Sequence, residues 1–269
     1  DKSNTYSPSI DKSKIDFNFK AKYLFSEKEV FLNDLLKDEG MTLINIWASW
    51  CLPCKDEHAY LLKLKSLNNL NIIGINYKDN ENNAKQFLSE LGNPYTNIIT
   101  DPNGINSIEL GAFGVPETYL IENKSKLIIK KFIGPLDDKS FIQLTNNSMN
   151  KMKILSKLII IFLFFQNFSS AETSQQVDKI SKNLRCLICQ GQSVYDSQSD
   201  FALSMKILIQ NKIDEGKNDE QIYDFLKNKY GEWIVYDPEI NKNTLLLWVL
   251  PLILFVFGGI LILRKVSIK

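Results

Sequence analysis

The sequence predicts an α/β sandwich built on a central mixed sheet, followed by a small all-α bundle of three helices and a C-terminal transmembrane helix. Three observations predict it. Apolar runs of strand length alternate with helical stretches up to about residue 147, the apolar spacing is wholly helical from residue 172, and residues 244–263, TLLLWVLPLILFVFGGILIL, hold no charge.

TLINIW (42–47) reads as a buried strand, and Leu61, Leu62, Leu64 and Leu67 supply the apolar positions of the helix after it. NIIGIN (71–76) is a second strand, and residues 82–91 form a helix with Phe87, Leu88 and Leu91 on one side. NIIT is a short strand. TYLIE and KLIIKKFI make a hairpin around Asn123, Lys124 and Ser125, and a helix from about Asp137 to Asn146 closes the unit. In the second half Val177, Ile180 and Leu184 share one helical face, Phe201, Met205, Leu208 and Ile209 a second, and Ile222, Phe225 and Leu226 a third. Asn218 with Gln221 is a capping-box start, and Gly216 and Gly231 are helix stops. The domains expected are residues 1–147, a signal-peptide-like segment at 148–171, the helical unit at 172–243 and the span at 244–263.

Composition narrows the function classes. With 32 basic and 31 acidic residues among 269, nothing points to nucleic acid as a partner. All four cysteines fall in two CxxC pairs, Cys51/Cys54 and Cys186/Cys189. One zinc shared by both pairs is disfavoured, because 131 residues and different local contexts separate them. Covalent c-type haem needs His after the second cysteine, where Lys55 and Gln190 stand, so no cofactor and no metal are expected.

Cys51 lies where a strand turns into a helix, so unpaired backbone N–H groups and the positive end of the helix dipole favour its thiolate. Cys54, one turn on, is placed to resolve a mixed disulfide, and Pro53 fits a first turn that needs no N–H. The stretch WASWCLPC resembles the thioredoxin superfamily, and GVPET (114–118) resembles its cis-proline loop, with Pro116 at the proline. The longer string WASWCLPCKDEH, with GINYKDN and GVPET, looks like the CcmG/DsbE family of cytochrome c maturation across most of residues 15–146. Asn45 stands where thioredoxins carry a buried Asp. Glu57 resembles the acid of the CxPCxxE motif in extracytoplasmic reductases of the TlpA and ResA type, with a solvated helix residue as its bland alternative. Trp50, beside the nucleophile, is expected to shape the substrate surface, and His58, the only histidine, is read as a surface or packing residue rather than a base. PxxxTxxC, the peroxiredoxin pattern, is absent, since Ile44 and Ala48 hold its Pro and Thr positions. The resemblance also implies an N-terminal membrane anchor. The chain opens at Asp1 with neither Met nor such a helix, so a truncated or processed N-terminus is expected.

LRCLICQGQSV falls at the end of the first helix of the second half and in the loop after it, and a structural disulfide is the plain alternative there. With YDSQS, EGKNDEQI, YGEWIVYDP and LLWVLPLILF it is similar to the CcmH family throughout 172–269. That likeness implies a thiol pair, Cys186 and Cys189, working on apocytochrome CxxCH or on a partner disulfide of the haem lyase complex. Replacing Cys189 by Ser is expected to trap a mixed disulfide if exchange operates.

SMNKMKILSKLIIIFLFFQNFSSAET (148–173) has the lysine stub, apolar run and small-residue cleavage site of a signal peptide, ending at Ala171. Its position implies two proteins joined by gene fusion or readthrough, with cleavage after Ala171 or a retained hydrophobic hairpin as the two fates. Arg264, Lys265 and Lys269 after the last span place the C-terminus in the cytoplasm. The expected protein is therefore a thiol-disulfide oxidoreductase of the bacterial inner membrane with both redox domains facing the periplasm. Its expected partners are apocytochrome c, haem lyase components and a membrane electron donor of the DsbD/CcdA type. A general Dsb-type oxidase or isomerase, and a second half that only docks apocytochrome, are the alternatives.

Overall fold

The structure is a computed structural model, and it describes residues 17–66, 70–149, 173–189, 191–237, 249–251 and 253–258. Strands β1 (Lys20–Tyr23) and β2 (Glu29–Phe31) and the short helix α1 (Leu32–Leu35) come first. They are followed by β3 (Met41–Trp47), α2 (Leu52–Ser66), β4 (Leu70–Tyr77), α3 (Glu81–Leu91), β5 (Asn97–Asp101), α4 (Ile105–Glu109), β6 (Glu117–Glu122), β7 (Leu127–Ile133) and α5 (Asp138–Met149). The strands form one mixed sheet in the order β2-β1-β5-β4-β3-β6-β7. β3 pairs parallel with β4 and antiparallel with β6, which puts the end of β3, where the first CxxC begins, at the middle of the sheet.

The period of two along the strands explains the two cores. Ile44, Ile46, Ile73, Ile75, Ile99 and Tyr119 pack on one face with Leu32 and Leu35 of α1. Leu43, Trp47, Ile72, Ile98 and Leu120 pack on the other with Leu61 and Leu64 of α2, Phe87 and Leu88 of α3, and Leu144 of α5. The strand-helix alternation and the closing hairpin expected from the sequence are present. Four elements were not anticipated. β2 (EVF) is a three-residue edge strand that carries Glu, β1 (KAKY) beside it is only four residues long, and α1 and α4 are too short to show an apolar period.

The second half holds α6 (Thr173–Lys182), α7 (Asp200–Asp214), α8 (Asp219–Tyr230) and a 3₁₀ turn at Glu232–Ile234. Val177, Ile180, Leu184, Met205, Ile209, Ile222 and Leu226 make its core. Asn218 accepts from the Gln221 N–H while the Gln221 side chain accepts from the Asn218 N–H, so both halves of the expected capping box are made. The chain after α8 returns beside the LRC segment, where Leu184 bridges Val235 and Arg185 bridges Ser193.

The helical unit lies against the sheet unit, with α7 packed on α4. Among the described residues no helix is long and apolar enough to cross a membrane. The expected span at 244–263 falls largely outside them; residues 249–251 and 253–258 are helical. The signal-like segment, from residue 150 onward, also lies outside the described residues.

Candidate active site

Cys51 ends the loop after β3 and immediately precedes the fifteen-residue α2. It is disulfide-bonded to Cys54, with the Cα atoms 5.3 Å apart. The backbone N–H of Cys54 donates to the Cys51 sulfur at 3.1 Å. That amide is one of the orphan donors of a helix start, and it points at the sulfur that would carry negative charge after reduction. Both sulfurs belong to a nearly buried cluster, with Cys51 4% and Cys54 2% exposed, whereas the flanking Trp50 and Leu52 are 57% and 70% exposed. Pro53 is the second residue of α2.

Glu57 is not a solvated helix residue: it is fully buried. Spacing of three on a helix puts it on the same side of α2 as Cys54. One carboxylate oxygen accepts from Asn45 Nδ2 at 2.8 Å and the other from the Leu136 N–H at 2.9 Å. Burial pushes its pKa up to about 7, against these two hydrogen bonds, which pull it down. Asn45 in turn donates to Thr118 Oγ1 at 3.0 Å and accepts from the Tyr95 hydroxyl at 2.7 Å, so every partner in this buried network is fixed. His58 is buried too, contrary to a surface placement. Its Nε2–H donates to the Gly92 carbonyl at 2.8 Å, its ring packs edge-on against Phe87, and burial lowers its pKa.

The loop after β4 clamps the loop before Cys51. Asp79 accepts from the Ser49 N–H at 2.6 Å, the Ser49 hydroxyl at 2.7 Å and Asn76 Nδ2 at 2.9 Å. Trp50 Nε1 donates to the Lys78 carbonyl at 3.1 Å, which holds its exposed ring beside the cysteines. The Val115–Pro116 peptide bond is cis. Glu117 is buried; it pairs with Lys131 at 2.9 Å and accepts from the Phe113 N–H and from the Tyr119 hydroxyl, both at 2.8 Å.

Cys186 and Cys189 are also disulfide-bonded, with Cα atoms 5.2 Å apart. Cys186 is 3% exposed and packs in the helical core, while Cys189 is half-buried and more open. Two hydroxyls face the sulfurs. Ser197 Oγ lies 3.0 Å from Cys189 Sγ, and Ser199 Oγ lies 3.2 Å from Cys189 Sγ and 3.5 Å from Cys186 Sγ. Ser199 also caps α7 by accepting from the Ala202 N–H, so the positive end of a fifteen-residue helix is turned toward this pair. Arg185 lies over the rings of Trp233 and Tyr236, at 4.5 and 4.3 Å, which ties LRCLIC to YGEWIVYDP.

Sequence reasoning named both cysteine pairs but missed Asp79, Ser197 and Ser199. GINYKDN and YDSQS carried these residues as parts of family strings, and no local spacing marks an acid that reaches a serine 30 positions away.

Residues 18–151 match the model of the Redoxin family, and residues 162–268 match that of CcmH, described as a cytochrome C biogenesis protein. The chain is 50% identical over 104 residues to the thiol:disulfide interchange protein CycY of Rhizobium leguminosarum bv. viciae, covering 39% of this chain and 55% of that one. It is 38% identical over 125 residues to the thiol:disulfide interchange protein DsbE of Yersinia pestis, covering 46% and 65%. A solved DsbF homologue from Corynebacterium diphtheriae is 22% identical with a TM-score of 0.44, covering 54% of this chain and 94% of that one. The chain thus spans between 55% and 65% of the length of these two curated relatives.

Proposed function

For a chain that joins a Redoxin region at 18–151 to a CcmH region at 162–268, we propose thiol-disulfide exchange in cytochrome c maturation, run in the reducing direction. The observation that carries the reading is the first pair. A sulfur receives an amide hydrogen bond at a helix start, and an acid with a pKa near 7 is buried one turn beyond its partner cysteine.

The chemistry is a two-electron transfer. With the pair reduced, the Cys51 thiolate attacks one sulfur of a partner disulfide, forms a mixed disulfide and releases the other partner sulfur as a thiolate. Cys54 then loses its proton and attacks the Cys51 sulfur, releasing the second partner sulfur and closing Cys51–Cys54. Glu57 is the acceptor we assign to that proton, since its pKa matches neutral pH and it lies on the Cys54 side of α2. Trp50 and the backbone at Pro116 frame the rim on which an extended thiol substrate would pair. Cys186 and Cys189 form a second station, whose thiolate is stabilised by the Ser197 and Ser199 hydroxyls.

The substrates we propose are the CxxCH cysteines of apocytochrome c, kept as thiols for haem attachment, with components of the haem lyase complex as partners. A membrane electron donor of the DsbD/CcdA type would re-reduce Cys51–Cys54. The reading places both units in the periplasm, where disulfides form readily, on a protein held at the inner membrane by residues 244–263.

The test is the reduction potential of the Cys51/Cys54 pair in the chain carrying Cys186→Ser and Cys189→Ser, so that a single pair titrates. A value near roughly −270 mV or lower supports a dedicated reductant. A value near roughly −120 mV marks a strong oxidant, and the reading would then give way to general disulfide formation.

A further inference from the structure

We propose that residues 103–113 of the sheet unit form a permanent docking surface for the chain's own helical unit, and that the two units stay bound after the segment between them is cut. This claim is independent of the thiol-exchange reading.

A helix on the surface of a small bundle needs one buried apolar stripe, but α7 also buries a second, part-polar run. Ala202, Met205 and Ile209 belong to one run at helical spacing; Phe201, Ser204, Leu208 and Lys212 belong to a second. Three members of the second run meet the sheet unit. Phe201 stacks with Phe113, with ring centroids 6.4 Å apart; Ser204 Oγ donates to the Asn103 carbonyl at 2.8 Å; and Lys212 pairs with Glu109 at 2.7 Å. The Lys212 and Glu109 side chains are only 11% and 14% exposed, so this pair lies in the interface rather than on its rim.

Tyr230 is the last residue of α8. Its side chain is completely buried, and its hydroxyl lies 3.2 Å from the Ile108 carbonyl and 3.1 Å from the Ala112 carbonyl, both on the sheet unit. A buried phenol is stable only where its O–H finds an acceptor, and the sheet unit supplies both. Phe113 fits edge-on against the same ring at 5.4 Å. Ile108 is 2% exposed, and it packs in the core of the helical unit rather than in either core of its own.

The docking loop is held in shape from its own side. The Glu117 carboxylate accepts from the Phe113 N–H, and the Lys131 ammonium donates to the Gly111 carbonyl at 2.8 Å and lies 4.3 Å from the centre of the Phe113 ring. A surface ordered before contact gives up little conformational freedom on binding. Gly104 marks the closest approach. At φ +73°, a Cβ there would lie 2.7 Å from Ser204 Oγ and 2.6 Å from the Tyr77 ring. Beyond it, Lys78 reaches Asp200 at 3.2 Å. The contact thus combines a shared apolar core, a buried phenol, a largely enclosed ion pair and a backbone fit that admits only glycine, as a built interface does and a chance encounter of tethered parts does not.

The experiment uses the full chain in detergent with a protease site introduced between residues 150 and 171 and an affinity tag at the C-terminus. After complete cutting and dilution to about 1 μM, the N-terminal piece is expected to remain with the tagged piece, as a complex of micromolar or tighter affinity would. Tyr230→Phe, nearly isosteric, is expected to weaken retention about tenfold. Lys212→Glu should weaken it further, and adding Glu109→Lys should restore it to within about threefold of the unchanged charge pair. Release of the N-terminal piece while both pieces keep their circular dichroism overturns the proposal. So does precipitation on cutting, because a docked pair keeps both apolar faces covered, and so does a charge-swapped double variant no better than Lys212→Glu alone.

Discussion

Glu57 shows what burial does to a single carboxyl. Its pKa lies near 7 in the fold and near 4.5 when unperturbed, so between these values the folded chain holds a proton that the unfolded chain has lost. Stability therefore falls as pH rises from about 4.5 to about 7 and is level above, a loss of about 3 kcal/mol in all. Glu57→Gln is expected to remove that slope from urea unfolding measured between pH 5 and pH 8. A Gln cannot accept from both Asn45 Nδ2 and the Leu136 N–H, so a constant loss of about 1–2 kcal/mol accompanies it, and the flattened slope is the diagnostic part. An unchanged slope would assign the titration elsewhere. At the second pair, the hydroxyl of Ser197 lies 3.0 Å from the Cys189 sulfur and can turn to donate to it once it is a thiolate. Ser197→Ala is expected to slow alkylation of reduced Cys189 about tenfold at pH 7, and Ser197→Thr to restore it, because a hydrogen bond to a charged sulfur is being removed and returned. Equal rates in all three proteins would make the contact a packing detail. Cys189 is also the more open sulfur, so Cys186→Ser, which leaves Cys189 free to pair, is expected to trap more mixed disulfide with a CxxCH peptide than Cys189→Ser does. Non-reducing gels read the difference.

At the scale of elements, the loop between β4 and α3 matters as much as the helix that carries the cysteines. Asp79 takes three hydrogen bonds from Ser49 and Asn76, and its neighbour Lys78 takes one from Trp50. Asp79→Ala leaves the part-buried Ser49 N–H and Asn76 amide unpaired, at a cost of about 2–4 kcal/mol in chemical unfolding. Because Ser49 and Trp50 directly precede Cys51, the variant should also slow disulfide reduction under conditions where it is still fully folded. A variant that is destabilised but reduces at the normal rate would confine Asp79 to a structural role. The same loop marks the limit of what the sequence discloses. β3, α2, β4, α3 and the hairpin follow from apolar period and turn residues, and Cys51 and Cys54 from their place at a strand-to-helix turn. Asp79 touching Ser49, Glu117 touching Phe113 and Lys131, and Ser197 touching Cys189 depend on how separate segments approach in space, which no local period encodes. Glu57 falls between these cases. Its helical spacing from Cys54 was legible, but its complete burial follows from Asn45 on β3 and Leu136 before α5.

Across the whole molecule, α7 joins the surroundings of the two disulfides. Ser199 at its cap touches the sulfurs of the second pair, and Asp200 beside it reaches Lys78, whose carbonyl accepts from Trp50 next to Cys51. The element that holds one disulfide therefore leans on the loop that frames the other. Units docked in this way occupy one compartment. In spheroplasts whose disulfides have been reduced with a permeant phosphine, a membrane-impermeant maleimide is expected to label the cysteines of both pairs from the outside. Labelling is read by mass after cutting between residues 150 and 171. Labelling of only one pair, with the other reached only after the membrane is permeabilised, would place the two stations on opposite sides and would be incompatible with the contacts of Tyr230 and Lys212. If both are labelled, electrons taken up at Cys51 and Cys54 have a second thiol pair on the same side of the membrane and on the same folded body. A chain with Cys51→Ser should then lose donor-driven reduction of Cys186–Cys189 even when the second pair is intact, and thiol labelling of that pair after adding donor gives the measurement.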